Sequence, residues 1–406
     1  MSTVLAAPLA KSHEAVPRRP SRAELHARIA PYARADSFQG YKSFVIDLAL
    51  YAIGIAGVLF FETILGKIAG GLLAGSALVN LGSLSHEAAH RAVVKSRLGN
   101  KVIAVVSMTL HLFNYRLWIH DHHVLHHGRT NVQHNNFLSP RTLAEYQAMS
   151  RPRRAIYRAY HSQTGLGVLL YFLLERWPTV HFYPGTWLPP RHRASAWRYT
   201  ALMAAYAAAL LGLVVSVSAG SVIASVLCAL VLPYAVWFTV FSMTVFLQHT
   251  NPKLRWYRDL ASVDAPPEAL SVHVGMPHWI NHMTHYAMEH PVHHVHAMVP
   301  HYRLKQAQAE LAEIATPDII AMRFTIANMR DVLRRCRLYD YDAHTWVDFE
   351  GKVTAVPIGA GTSRKRPAKD GLLPDQAEPD SPGIFFPADR DRATTEFTAV
   401  IRREEA

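Results

Sequence analysis

The chain has 406 residues, enough for one to three domains, with half of them hydrophobic, only 18% charged and a net charge of +12. Two cysteines exclude a disulfide framework. The positive charge does not form a basic stripe interleaved with aromatics, which argues against nucleic acid as a partner; it gathers in short runs such as Arg151–Arg154 and Arg191–Arg193.

Residues 1–40 read as a polar N-terminal segment with an amphipathic helix from Ser21 to Ala33. Val4 to Ala10 is too short for a secretory signal. Phe44 to Leu65 and Ile68 to Leu84 are long and apolar enough to form a membrane hairpin that turns near Gly66 and Lys67. Asp47 and Glu62 then fall near the ends of the first span, within reach of the interface. A basic stretch, Lys95 to Lys101, precedes an apolar run from Val102 to Phe113 that is too short to cross and is expected either to dip into the membrane or to lie against it.

Residues 138–197 form a polar connection with one apolar patch, Leu166 to Leu174, expected to rest on the membrane surface. From Tyr199 to Pro252 there is no Asp, Glu, Lys or Arg, so this stretch crosses twice, turning at Ser216 to Ser221. A soluble helical protein with buried helices would not carry so long an uncharged run. After Asp348 the chain is rich in Gly, Pro and charge, and residues 349–406 read as a disordered tail. The expected fold is an all-α integral membrane protein: four transmembrane helices over residues 41–348, capped by a histidine-rich helical region. The strongly basic stretch from Arg91 to Arg198 places that cap, and both termini, in the cytoplasm.

Nineteen of the 25 histidines lie in two stretches, His86–His134 and His249–His301. His86 and His90 (HEAAH) share one helix face. His123, His126 and His127 give HxxHH, and His290, His293 and His294 repeat it. On a helix, i, i+3 and i+4 make one broad face able to serve two nearby ions. His249 closes the fourth span at the same level, and His285 competes with it as a further ligand. His120, Asp121 and His122 read as outer groups that orient the ligands. His134, His278, His282, His296 and His301 read as loop or outer histidines.

HEAAH also fits the zinc-protease pattern, with Glu87 activating water. That reading leaves over a dozen clustered histidines unused and lacks a carboxylate ligand within the last two spans. A metal transporter would need ligands at mid-membrane, whereas these lie at span ends. Neutral imidazoles suit iron, zinc or copper alike.

The three boxes resemble those of the membrane fatty acid desaturase and hydroxylase superfamily. HEAAH is similar to that family's first box, HHVLHHGRTN to its second with the trailing Thr130 and Asn131, and HPVHHVHAMVPHYRL to the third-box region of methyl-end acyl-lipid desaturases. The resemblance covers residues 44–310. It implies two non-haem iron ions held by His86, His90, His123, His126, His127, His290, His293 and His294, with His249 as ninth ligand. It also implies O2 as co-substrate and attack on unactivated C–H bonds. A fatty acyl chain on a membrane lipid would be desaturated, with hydroxylation, ketolation or acetylenation as same-chemistry alternatives. The HxxxH first box argues against acyl-CoA substrates, and a third box opening on His290 rather than Gln argues against front-end desaturases. No fused redox domain is evident, so electrons are expected from a separate ferredoxin or cytochrome. The Ala- and Arg-rich composition points to a bacterial inner membrane.

Overall fold

The computed structural model describes residues 19–133, 139–315 and 318–359. Among the described residues, four helices are long and apolar enough to cross a bilayer: Ser37–Phe60, Ile64–Ala89, Pro190–Val217 and Val222–His249. Their outward residues, among them Val45, Ile53, Leu72, Leu211, Val215 and Leu227, form an exposed apolar belt suited to lipid.

Asp36 starts the first span by accepting hydrogen bonds from the Phe38 and Gln39 amides (2.9 and 3.3 Å). Thr63 starts the second by accepting from Gly66 (3.2 Å). Because Thr63 is the cap, the hairpin turn is Phe61 to Thr63 rather than Gly66–Lys67. Lys67 therefore stands inside the second helix and is fully buried. Its ammonium donates to Val58 O (2.8 Å), Ala219 O (2.8 Å) and Ser225 Oγ (2.7 Å), tying the first, second and fourth spans to the turn that follows the third. Lys67→Met removes the donor shared by these three acceptors, two of them in buried contacts. A loss of about 3 kcal/mol is expected, read as a lower unfolding temperature of the detergent-solubilised protein; an unchanged melt would refute this role.

The first two spans cross at glycine. A Cβ on Gly70 would stand 2.6 Å from Gly54 O, and one on Gly54 would stand 2.5 Å from the Ala74 amide nitrogen. Such close backbone approach is the usual packing solution where lipid offers no hydrophobic drive between helices. Gly71 and Gly75 similarly face Cys228 O and Pro233 in the fourth span.

Asp47 is not at the interface. It is buried, accepts from Asn80 Nδ2 (3.2 Å) and pairs with His285 Nε2 (2.7 Å). A carboxylate within a span needs such partners, because lipid supplies none.

Arg97–Leu110 and Tyr115–Arg129 form a helix pair bent by 114°, a broken span or re-entrant loop. Leu112 at the bend has φ 61°. Asn114 caps the second arm by accepting from Arg116 and Leu117 (3.0 and 3.1 Å). Its amide group also holds the bend to the third span through Ala196 O and Thr200 Oγ1 (2.8 and 2.9 Å). The Leu166–Leu174 patch lies on the helical stretch Leu166–Tyr171 and the π-helix Phe172–Phe182. Leu166, Leu170 and Leu174 face outward while Phe172 is buried in the bundle core.

The rest builds a cap at the end of the bundle where the second and fourth spans finish. The expected amphipathic helix is present as Arg22–Ile29, continued by the 3-10 turn Ala30–Ala33. Leu25 and Ile29 pack on Val292, Val295, Leu304 and Leu311, so the N-terminal segment braces the third histidine box. Two small sheets join the helices. Val272–Gly275 pairs in parallel with Ile320–Arg323, and Leu338–Asp340, Thr345–Val347 and Val353–Ala355 form an antiparallel meander. The meander carries the folded chain beyond Asp348. Asp348 accepts from the Glu350 and Lys352 amides (3.0 and 2.8 Å) across a turn containing Gly351, and Phe349 is buried against Tyr146 and Tyr157. Residues 349–359, expected in the polar tail, thus belong to the folded cap, and the rest of that expected tail, residues 360–406, lies outside the described residues.

Candidate metal centre

Antiparallel threading puts the C-terminal ends of the second and fourth spans side by side. The second delivers His86 and, at its C-cap, His90; the fourth delivers His249. The bent helix pair brings the second box, and the short helix His290–Val295 the third. The imidazoles converge in three overlapping groups whose nitrogens lie within 4.8 Å of one another: His86, His90, His122 and His293; His126, His249, His290 and His294; and His122, His126 and His127.

Two nitrogens act as hubs. His290 Nε2 is 2.9 Å from His249 Nε2 and 3.0 Å from His294 Nε2. His127 Nε2 is 3.1 Å from His122 Nε2 and 3.0 Å from His293 Nε2. Each nitrogen of a neutral imidazole carries either the single N–H or a lone pair, so a hub nitrogen can hold at most one full hydrogen bond, as donor or as acceptor, and not both of its contacts. In addition, His90 Nε2 and His123 Nε2 are buried with no partner among the described residues. So many inward-facing ring nitrogens, with neither cysteine among them, fit transition-metal ions better than a hydrogen-bonded cluster. Burial first, and mutual repulsion second, push His290, His293 and His294 well below the usual imidazole range. They are therefore neutral at pH 7, the state that ligates a metal.

Eight of the nine histidines expected as ligands fall in these groups. His123 stands beside them, its ring 4.3 Å from that of His90. His122, expected to lie outside, takes part in two groups. The cause is the backbone: His120–His126 is π-helical, with the His127 amide bonded to His122 O. In a π-helix residues i and i+5 share a face, so His122 meets His127 edge to face at 4.7 Å, which the α-helical 3–4 spacing does not foresee. A run of five histidines within eight residues, His120 to His127, is itself a weak signal that more than one register is available. His122→Ala is expected to weaken metal retention by more than about 100-fold, and His123→Ala by about 10- to 100-fold, the loss typical of groups just outside a metal's ligands. Metal content after dialysis against a chelator separates them; equal retention in His122→Ala and the parent protein would remove His122 from the set.

His249, not His285, joins the clusters, since His285 is paired with Asp47. Asp121 pairs with Arg176 (3.2 Å) and not with an imidazole, and His120 lies beside Trp187. Trp118, which no spacing pattern in the sequence singles out, stacks on His122 at 4.3 Å. His301 is an outer group of a specific kind: its amide donates to Glu87 Oε2 (2.6 Å), and its ring bridges Glu87 (3.1 Å) and Ser43 Oγ (2.9 Å). The carboxylate of HEAAH is thereby committed to holding the cap, which weighs against the role of a water-activating base in a protease. His278 and His282 sit on the short helix His278–Met283, apart from the three groups, and His296 stacks on His26 at 4.1 Å. His134 lies outside the described residues.

A cavity leads from the histidines into the bundle between the second and fourth spans. Val79, Gly82, Phe113, Trp237, Val240 and Phe241 give it mostly apolar walls, and His86, His122, His126, His249, His290 and His293 close one end. A Cβ on Gly82 would stand 2.2 Å from the Trp237 ring, so glycine there lets the indole lie across the cavity wall. A mostly apolar cavity ending on ring nitrogens suits a hydrocarbon chain brought to a metal centre.

The model of the family described as "Fatty acid desaturase" matches residues 62–325, which takes in all three boxes and the spans that carry them. The chain belongs to the fatty acid desaturase family. Among its relatives, an sn-1 oleoyl-lipid 12-desaturase of Synechocystis sp. is 25% identical, over 74% of this chain and 84% of that one. An omega-6 chloroplastic fatty acid desaturase of Spinacia oleracea is 23% identical, over 69% and 60%. An sn-1 acyl-lipid omega-3 desaturase (ferredoxin) of Nostoc sp. is 25% identical, over 58% and 64%. These similarities agree with the methyl-end likeness of the boxes. This desaturase is a membrane oxidoreductase whose histidine clusters are placed to hold metal at the end of its helical bundle.

Proposed function

We propose that this desaturase introduces a double bond into a fatty acyl chain carried on a membrane lipid. The observation that carries this reading is the apolar cavity that runs from the lipid-embedded spans onto the histidine clusters. The overall change is –CH2–CH2– plus O2, two electrons and two protons to –CH=CH– plus two waters. Two iron ions would be held by His86, His90, His122 and His293 on one side and His126, His249, His290 and His294 on the other, with His127 between and His123 adjacent. Bound iron supplies activation of O2 and abstraction of hydrogen from an unactivated C–H bond.

The protein's own part is positioning. The cavity walls hold the chain in one register, which selects the carbons that react. Trp118 and the Glu87–His301 pair fix rings and backbone around the centre, and the Lys67 staple and glycine crossings hold the spans that carry the first box and His249. The electrons are taken to come from a separate ferredoxin or cytochrome, for which the basic cap face offers an attractive surface. The basic stretch from Arg91 to Arg198 supports a cytoplasmic cap, and a bacterial inner membrane is the setting we assign.

Expression in a host lacking the activity, followed by analysis of its lipids, tests the reaction. New double bonds in glycerolipid acyl chains that depend on His293 are expected. New hydroxyl groups without unsaturation, or no change with a metal-loaded protein and a supplied reductant, would overturn the reading.

A further inference from the structure

The apolar cavity contains two histidines that the metal clusters leave unused. His111, at the bend of the broken helix pair, and His181, near the end of the π-helix Phe172–Phe182, both line it. Their relative exposures are 1% and 2%. They flank the same phenyl ring: His181 stacks on Phe113 at 4.2 Å, and His111 lies 4.8 Å from it. His111 Nδ1 and both nitrogens of His181 have no hydrogen-bond partner among the described residues.

The polarity of these nitrogens follows from their neighbours. Ser85 Oγ donates its proton to Gly82 O (2.8 Å). Its oxygen can then only accept from His111, whose Nε2 stands 3.3 Å away. Nε2 therefore carries the hydrogen, and His111 Nδ1 is a bare acceptor. A neutral His181 adds one donor and one acceptor. A plain hydrocarbon chain would bury all three against methylene groups, and a carbonyl could satisfy only the single N–H. A hydroxyl both donates and accepts, so it is the smallest group on an acyl chain that meets either histidine.

We propose that His111 and His181 form a polar subsite in the acyl cavity that binds a hydroxyl group carried by the substrate chain. The chain desaturated is then a hydroxylated acyl lipid. The proposal rests on the acyl reading of the cavity and adds specificity within it. One satisfied buried hydrogen bond corresponds to a preference of about 5-fold in affinity, and two to correspondingly more.

The test uses metal-loaded full-length protein in detergent without reductant, so that binding is read apart from turnover. Displacement of a fluorescent acyl lipid is measured with lysophosphatidylcholines bearing an unsubstituted octadecanoyl chain or one hydroxylated at successive carbons. At least one hydroxylated position is expected to bind about 5-fold tighter than the plain chain. His181→Phe and His111→Phe, which keep an aromatic ring and remove the nitrogens, are expected to bring that ratio to about 1. Metal content and melting temperature confirm that each variant is folded, and either variant alone suffices if the other is not. Equal affinity across the panel would show that water meets these nitrogens and would overturn the proposal. So would a hydroxyl preference that survives in a folded variant. If no acyl lipid displaces the probe, the acyl reading itself falls and the subsite with it; displacement by the plain chain alone would leave that reading standing.

Discussion

His290→Ala is expected to reduce bound iron from about two per chain to about one, and to lower turnover by more than about 100-fold. His290 Nε2 is the atom that both His249 and His294 face, at 2.9 and 3.0 Å, so its removal opens the centre of one cluster and leaves the other complete. The measurement is metal analysis of purified protein alongside product formation. His127→Ala acts differently, because its Nε2 faces His122 and His293, each a member of the group that contains His86 and His90. There the loss is expected to extend to both ions. Two irons retained in His290→Ala would refute the assignment of this cluster.

Gly70→Leu is expected to destabilise the protein by about 3 kcal/mol or more and to lose metal as well. The added Cβ alone would lie 2.6 Å from Gly54 O and 2.8 Å from the Val58 amide nitrogen. Both obstacles are backbone, so the helices must part rather than a side chain swing away. The second span carries His86 and His90 at its far end, which couples the crossing to the metal centre. Gly212→Leu is the control: a Cβ there meets nothing within 4 Å, and little change is expected. Thermal unfolding and metal content in detergent decide the matter. Equal behaviour of the two variants would show that the glycine crossing does not set the bundle.

Much of the architecture is legible in sequence because membrane physics is harsh. A stretch with no charged residue from Tyr199 to Pro252 admits few other readings, and the four expected spans are the four apolar helices observed. The errors sit where a local signal competed with a distant partner. Lys67 looked like a turn residue because a lone ammonium belongs at an interface, yet carbonyls from other segments and Ser225 meet it inside. Asp47 looked interfacial for the same reason, and His285, far along the chain, accounts for its burial. The extension past Asp348 escaped notice because a three-residue strand leaves almost no periodic trace and is stabilised by pairing with Thr345–Val347.

The sequence by itself determined the family, the number of spans and eight of the nine ring-bearing positions that meet at the centre, because box spacing and apolar length are local properties of the chain. Only the tertiary structure brings His249 rather than His285, and His122 rather than His123, into the candidate groups, and places His111 and His181 along the cavity wall. Those choices depend on a π-helical register and on contacts between segments more than 35 residues apart, such as His249 with His290. A spacing rule that assumes 3.6 residues per turn contains neither.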